Sequence, residues 1–306
     1  MPADVHVGKH VSAPVLLFAT AATFGASPAL ISVSVDQFQP VQLAGLRAAF
    51  GFPILLIVAL VMGQIRRLST PDLATLAVGG VLLIAVPFAV MAAGLQTVPS
   101  GLGGMLYASM PVFTLALTRL FTTDERPTII DALCVTIGII GVAIIAGPSF
   151  VVNGVTGAGA GVLLILLAPL SYAAGNVWLK LRPSVPPLLL TAGMFGIGAI
   201  LTLPLSFALE GGIDVNSVLA AGGPLFALVA FATALPAVLN YALVRQSGAN
   251  MASYVMFLMP GFAVLYGATF LGERLPPSAF VGLALVVSAA VGGEALSRSR
   301  AKTKRP

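Results

Sequence analysis

One arginine and a few polar and aromatic side chains stand where they could bind a solute within apolar sequence. Arg47 lies about eight residues into an apolar run, where a buried charge costs about 2.5–3.5 kcal/mol or more. It could bind a substrate carboxylate or tie helices together through backbone carbonyls. The other residues suited to a cavity for a small amphiphilic solute are Phe24, Tyr107, Tyr172, Asn176, Asn240, Tyr241 and Tyr254.

Groups for covalent, acid–base or metal chemistry are scarce in this chain. The single cysteine, Cys134, lies within an apolar run, and the two histidines, His6 and His10, precede the first run. The acidic residues fall in turns or near the ends of runs, so no carboxylate is predicted near the centre of a span. We therefore predict no catalytic residue, no metal site and no cofactor, and an integral-membrane enzyme is the weaker alternative.

The composition predicts that membrane-spanning helices position these side chains. Of the 306 residues, 58% are hydrophobic and 8% are charged, and the mean hydropathy is +1.05. Soluble domains carry about 25% charged residues. Because lipid cannot satisfy free backbone amides, the runs predict an all-α membrane protein. The ten predicted spans, numbered 1 to 10, cover about residues 13–35, 39–62, 72–96, 99–121, 128–147, 156–179, 187–209, 218–244, 249–271 and 277–296.

The chain repeats itself in two halves. Pro87 and Pro236, and likewise Pro111 and Pro260, are separated by 149 positions within similar sequence. Each half holds five spans, an odd number, so the halves must cross the bilayer in opposite directions. The matched prolines predict matched kinks, which could be hinges or tolerated bends. The predicted divisions are a tail (1–12), a first five-helix repeat (13–147), a linker (148–155), a second repeat (156–296) and a basic tail (297–306).

The basic residues predict that both termini are cytoplasmic. With the N-terminus inside, thirteen of the fifteen Lys and Arg residues face the cytoplasm, while Arg274 faces outside and Arg47 lies within a span. Five of the thirteen follow span 10, where an anchor against anionic lipid is favoured over nucleic-acid binding. The predicted partners are a small-molecule substrate and lipid, with monomer and homodimer both open.

Several short motifs carry a family resemblance. Each half has a Met-Pro pair followed by an acid–base turn, and span 1 adds an aromatic-Gly pair: Met110-Pro111 with Asp124-Glu125-Arg126, Met259-Pro260 with Glu273-Arg274, and Phe24-Gly25. With Arg47 in span 2, this pattern resembles the EamA-type transporters of the drug/metabolite transporter superfamily. The second half departs from it, since Tyr172-Ala173 replaces an aromatic-Gly pair.

The resemblance implies a location in the cell inner (plasma) membrane and transport across it, often export of amino acids or related metabolites, through a central cavity. It also implies that spans 5 and 10 lie away from that cavity. Together with the inverted repeat, it predicts an alternating-access exporter of small organic metabolites whose cavity is lined by spans 1–4 and 6–9. An exchanger of phosphorylated sugars or nucleotide-sugars is an alternative, disfavoured by the single buried cation.

Overall fold

The computed structural model describes residues 11–121, 128–153, 157–182, 185–220 and 222–303. Within these ranges the regular structure is helical and contains no strand, and nine helices are long and apolar enough to cross a membrane. A shorter apolar helix, Pro277–Gly293, supplies the tenth span. The predicted all-α membrane fold of ten spans is thereby confirmed.

The helix bounds follow the predicted spans closely. In the first half they are Ala13–Gly25 with Ser27–Ser34 (span 1), Pro40–Val61 (span 2), Thr70–Gly80 with Val86–Leu95 (span 3), Ser100–Tyr107 with Met110–Phe121 (span 4) and Ile129–Asn153 (span 5). In the second half they are Ala158–Lys180 (span 6), Pro187–Glu210 (span 7), Gly222–Val229 with Leu235–Ser247 (span 8), Ala249–Ser253 with Val255–Phe270 (span 9) and Pro277–Thr303 (span 10). A short helix, Val215–Ala220, joins spans 7 and 8.

Two predicted connecting segments are largely helical. Span 5 continues through Pro148 to Asn153, so the helix covers most of the predicted linker 148–155. Span 10 likewise runs to Thr303 and takes in most of the predicted tail 297–306. Proline is tolerated in spans because neighbouring groups can satisfy the freed carbonyl. The predictions for the following positions lie outside the described residues: His6, His10, Asp124, Glu125, Arg126 and residues 154–155.

Polar residues at helix starts explain where spans 2 and 3 begin. Pro40 occupies the first turn of span 2, where its missing N–H is not needed. The side chains of Gln39 and Gln42 satisfy each other's backbone N–H groups there, and Ser69 and Asp72 do the same at the start of span 3. Polar side chains at these two helix starts thus satisfy backbone N–H groups that have no partner within the helix.

The two halves pack against each other span by span. Span 2 packs on span 7, span 4 on span 9 and span 5 on span 10. Span 1 packs on span 8, and span 3 packs on span 6. A two-fold relation between the halves interchanges these pairs, as an inverted repeat requires. Glycines permit the closest approaches. A Cβ on Gly94 would lie 2.6 Å from the carbonyl oxygen of Gly161, and one on Gly141 would lie 2.7 Å from that of Gly282.

A widened π-helical turn interrupts spans 3 and 8 at matching positions. The turns are Val81–Ala85 and Ala230–Ala234, again 149 positions apart. Each directly precedes a helix whose second residue is a proline, Pro87 or Pro236. Proline has no N–H to donate to the carbonyls four or five residues earlier, so the backbone departs from the α-helix there. The sequence predicted bends at these prolines, and the π turns are a finding of the structure.

The second proline pair has unmatched local geometry. Pro111 is the second residue of the helix Met110–Phe121, which follows a break at Ala108 and Ser109. Pro260 lies inside the helix Val255–Phe270, and the break in span 9 occurs earlier, at Tyr254. The sequence match between these two prolines is therefore not accompanied by matching helix breaks.

Candidate functional site

A cavity of about 340 Å³ lies between the two halves. Spans 1–4 and 6–9 all contribute to it, and none of the described lining residues belongs to span 5 or span 10. The volume is near the lower end of the range for small-molecule pockets, and most of the lining is apolar or aromatic. Both properties suit a small organic solute.

The cavity brings together six of the eight residues that the sequence nominated: Phe24, Arg47, Tyr107, Tyr172, Asn176 and Asn240. The rings of Tyr107 and Tyr172 meet edge to face with their centroids 5.4 Å apart, and this contact joins span 4 to span 6. Of the prolines predicted as hinges, Pro87 is the one in the described lining. The site thus combines one cation, aromatic walls and two amides.

The other two nominated residues, Tyr241 and Tyr254, lie outside the described lining. Tyr241 directly follows Asn240, and neighbouring helical residues point about 100° apart, so its side chain faces a different direction from that of Asn240. Its hydroxyl accepts a 3.5 Å hydrogen bond from Arg245. Tyr254 is 39% exposed and packs its ring near that of Phe257.

Arg47 ties helices together, which is one of the two roles that its sequence position left open. Its Nε donates a 2.8 Å hydrogen bond to Thr233 Oγ1, and its Nη2 donates to Ser27 Oγ at 3.1 Å and to the Ala232 carbonyl at 3.3 Å. The guanidinium carbon lies 3.9 Å from the ring centre of Phe88. These contacts tie span 2 to spans 1, 3 and 8. Among the described residues, none accepts a hydrogen bond from Nη1.

Two hydroxyl residues that were not nominated support the π turns: Thr233, which also lines the cavity, and Ser171, which lies outside the described lining. Thr233 lies in the π turn of span 8, and its hydroxyl donates a 2.8 Å hydrogen bond to the Leu228 carbonyl while accepting from the guanidinium. Ser171 in span 6 donates a 2.7 Å hydrogen bond to the carbonyl of Leu82, in the π turn of span 3. Each π turn thus accepts a side-chain hydrogen bond from the other half: Ala232 accepts one from Arg47, and Leu82 accepts one from Ser171. The available sequence signal for Thr233 was its place three residues before Pro236.

The two ends of the cavity differ in exposure. Ile31, near the end of span 1, is 2% exposed, whereas Asn176, near the opposite membrane face at the end of span 6, is exposed. Asn240 on that second side is half-buried. We call the face that the charge pattern predicts to be outside the outer face. The cavity is therefore closed toward the outer face and accessible from the face predicted to be cytoplasmic.

Two carboxylates join the halves at the outer face, and we name them the outer clamps. Glu210, at the end of span 7, accepts hydrogen bonds from the backbone N–H groups of Val41 (2.9 Å) and Gln42 (2.8 Å) in the first turn of span 2. Glu273, before span 10, accepts two at 2.6 and 2.8 Å from the first two residues of span 4. The N-terminus of a helix favours negative charge, so both clamps are electrostatically matched.

Both halves of the chain match one family model. Residues 11–147 and residues 159–292 each match the EamA-like transporter family. The chain belongs to this family. The two EamA matches fall on the two halves that pack around the cavity, so the family assignment agrees with the resemblance read from the sequence motifs.

Several curated proteins are similar over most of the chain. The uncharacterized inner membrane transporter YedA of Escherichia coli K12 is 27% identical over 285 residues, covering 90% of this chain and 88% of YedA. An uncharacterized transporter of Archaeoglobus fulgidus is 25% identical over 280 residues, covering 89% and 95%. One solved crystal structure superposes with a TM-score of 0.63 at 17% identity and covers 94% of this chain and 98% of its own, which supports the fold.

Proposed function

We propose that this protein is an inner-membrane secondary transporter that exports small organic metabolites, amino acids or related compounds, by alternating access. The observation that carries the proposal is the cavity between two inverted halves, closed at the outer face by the outer clamps. Membership of a transporter family and similarity to YedA, which bears the name inner membrane transporter, support the membrane assignment. The N- and C-termini would lie in the cytoplasm.

The charge of the lining supports metabolites over phosphorylated solutes. Arg47 is the one charged residue among the described lining residues. Phosphorylated sugars and nucleotide-sugars carry two or more negative charges and require several cations to replace the lost water. A cavity with one guanidinium and aromatic walls instead suits a carboxylate joined to an apolar body.

The π turns support a role as hinges in alternating access. They stand at matching positions in the two halves, and their carbonyls already accept hydrogen bonds from side chains of the opposite half. Such bonds can break and re-form as the halves rock, because the carbonyls do not belong to a continuous α-helical ladder. Opening the outer face would require release of the outer clamps and closure around Asn176.

Counterflow in proteoliposomes tests the proposal. Wild-type protein should accelerate saturable exchange of at least one labelled metabolite from a panel of amino acids, organic acids and amines. Ala237, in the lining, offers a blocking variant, Ala237→Phe, and the exposed Ala268 offers the matched control Ala268→Phe. We expect the first to abolish exchange and the second to retain it. Ion conductance without saturable exchange, or equal rates in both variants, would contradict a carrier with this cavity.

A further inference from the structure

We propose that the cavity binds a small organic monoanion without an ammonium group, and that the inside-negative membrane potential drives its export without a coupled cation. This inference rests on the proposed transport function and narrows it. Among amino acids and their relatives, it selects compounds that keep the carboxylate and lack the ammonium.

The first step is the net charge of the empty cavity. A guanidinium is charged at pH 7. Arg47 is buried, with 7% of its surface exposed, and the described lining contains no Asp or Glu to neutralise it. Its partners are two hydroxyls, a carbonyl and an aromatic ring, all of them uncharged. The empty site therefore carries one uncompensated positive charge.

The second step is the donor geometry of that cation. Nε and Nη2 are occupied by protein acceptors, and Phe88 covers one face of the guanidinium. What is left is Nη1, with two N–H groups on a single nitrogen. That geometry matches one oxygen-bearing anionic group rather than two. A dianion would bring a second negative charge with no second cation in the described lining to receive it.

The third step concerns an ammonium group on the solute. A zwitterion would place its ammonium in a cavity whose described lining offers no carboxylate, so the loaded site would keep its net positive charge. A monoanion makes the loaded site neutral. The amide oxygens of Asn176 and Asn240 can accept hydrogen bonds from neutral donors on the cargo, and the aromatic walls can cover its apolar body.

The fourth step is the driving force. No carboxylate in the described lining could carry a coupled proton or bind Na⁺, but a monoanion itself senses the membrane potential. One elementary charge crossing 100 mV corresponds to roughly a 50-fold concentration ratio at equilibrium. The neutral loaded site turns outward without moving charge, and an inside-negative potential then draws the empty, positively charged site back toward the cytoplasmic face, so each cycle moves one net charge. Export then follows from the charge of the cargo alone.

A charge-matched set of ligands tests the selectivity. We would compare 3-phenylpropionate (monoanion), phenylalanine (zwitterion), phenethylamine (cation) and phenylsuccinate (dianion) in thermal-shift titrations of the purified full-length protein. We expect the monoanion to bind at least tenfold more tightly than the zwitterion. Arg47→Gln should lose this preference. Arg47→Lys, which restores the charge, should retain part of it, provided that its thermal unfolding without ligand stays cooperative. Equal or tighter binding of phenylalanine to wild type would overturn the inference.

Flux under a clamped potential tests the driving force without any variant. A K⁺ gradient and valinomycin set a potential of about 100 mV across the proteoliposome membrane, and labelled 3-phenylpropionate should accumulate on the positive side at a ratio approaching about 50-fold. The ratio should collapse to one at zero potential. Flux of phenylalanine that ignores the potential, with no flux of the monoanion, would overturn the inference and leave transport standing. Absence of flux for the monoanion, the zwitterion, the cation and the dianion would overturn the proposed transport function as well.

Discussion

Replacing the outer clamps with glutamine should open the cavity toward the outer face. In Glu210→Gln or Glu273→Gln, the shape of the side chain stays the same, but the charge and one of the two acceptor oxygens are lost. The side-chain nitrogen of glutamine cannot accept a hydrogen bond from a backbone N–H. Each substitution therefore weakens a contact between the halves that exists while the outer face is closed.

The expected magnitude follows from the hydrogen bonds. A bond to a charged acceptor contributes about 1.5–3 kcal/mol and a neutral one about 1 kcal/mol. Both clamps are half-buried, so screening by solvent reduces the net loss to about 1.5 kcal/mol for each substitution. Since 1.4 kcal/mol corresponds to a tenfold change in an equilibrium constant, each variant should raise the outward-open population about tenfold, and the double variant about 100-fold.

Cysteine labelling from outside the cell measures this population. Ile31 lies at the closed end of the cavity and is 2% exposed, so Ile31→Cys on a Cys134→Ala background gives one reporter thiol. A membrane-impermeant maleimide added to intact cells should label it about ten times faster in either clamp variant. The matched control is Asp36→Asn, which removes an exposed acid from the same face and should leave the rate unchanged.

One pair of results would refute the reasoning. If both clamp variants lower the thermal stability but leave the labelling rate at Ile31→Cys unchanged, the clamps are present in every state of the cycle and do not control access. If labelling rises only in inverted vesicles, the predicted orientation of the termini is reversed.

Three further predictions concern packing and the π turns. Gly94→Ala should lower the free energy of unfolding by about 1–3 kcal/mol because its Cβ would lie 2.6 Å from a carbonyl oxygen. The control Gly261→Ala, which has open space around it, should be neutral or slightly stabilising. Equal melting temperatures of the two variants would contradict this prediction. Thr233→Val should reduce transport at least tenfold while Thr233→Ser retains it, as measured by counterflow, because the hydroxyl orients the arginine. Ser171→Ala should destabilise the protein by about 1–3 kcal/mol because the partly buried Leu82 carbonyl loses its donor. Unchanged stability would show that the α-helical hydrogen bonds have closed there.

The sequence by itself determined the membrane architecture of this protein. Hydropathy defines the spans because lipid admits only segments whose backbone groups are satisfied internally. The repeat of Pro87 at Pro236 and the charges in the turns define the inversion, and both are local properties of composition and spacing. The same local reasoning placed six of eight nominated side chains in the lining, because polar groups in an apolar helix must face protein or water.

The tertiary structure decided which of those groups interact. Arg47 meets Thr233 across 186 positions, and Glu210 meets Val41 across 169, and no periodicity in either segment encodes such a pairing. Tyr241 lies outside the lining because the rotation of span 8 is set by its neighbours, which place Asn240 there instead. The π turns also depend on tertiary context, since a proline frees a carbonyl, but a side chain of the opposite half must be in place to satisfy it.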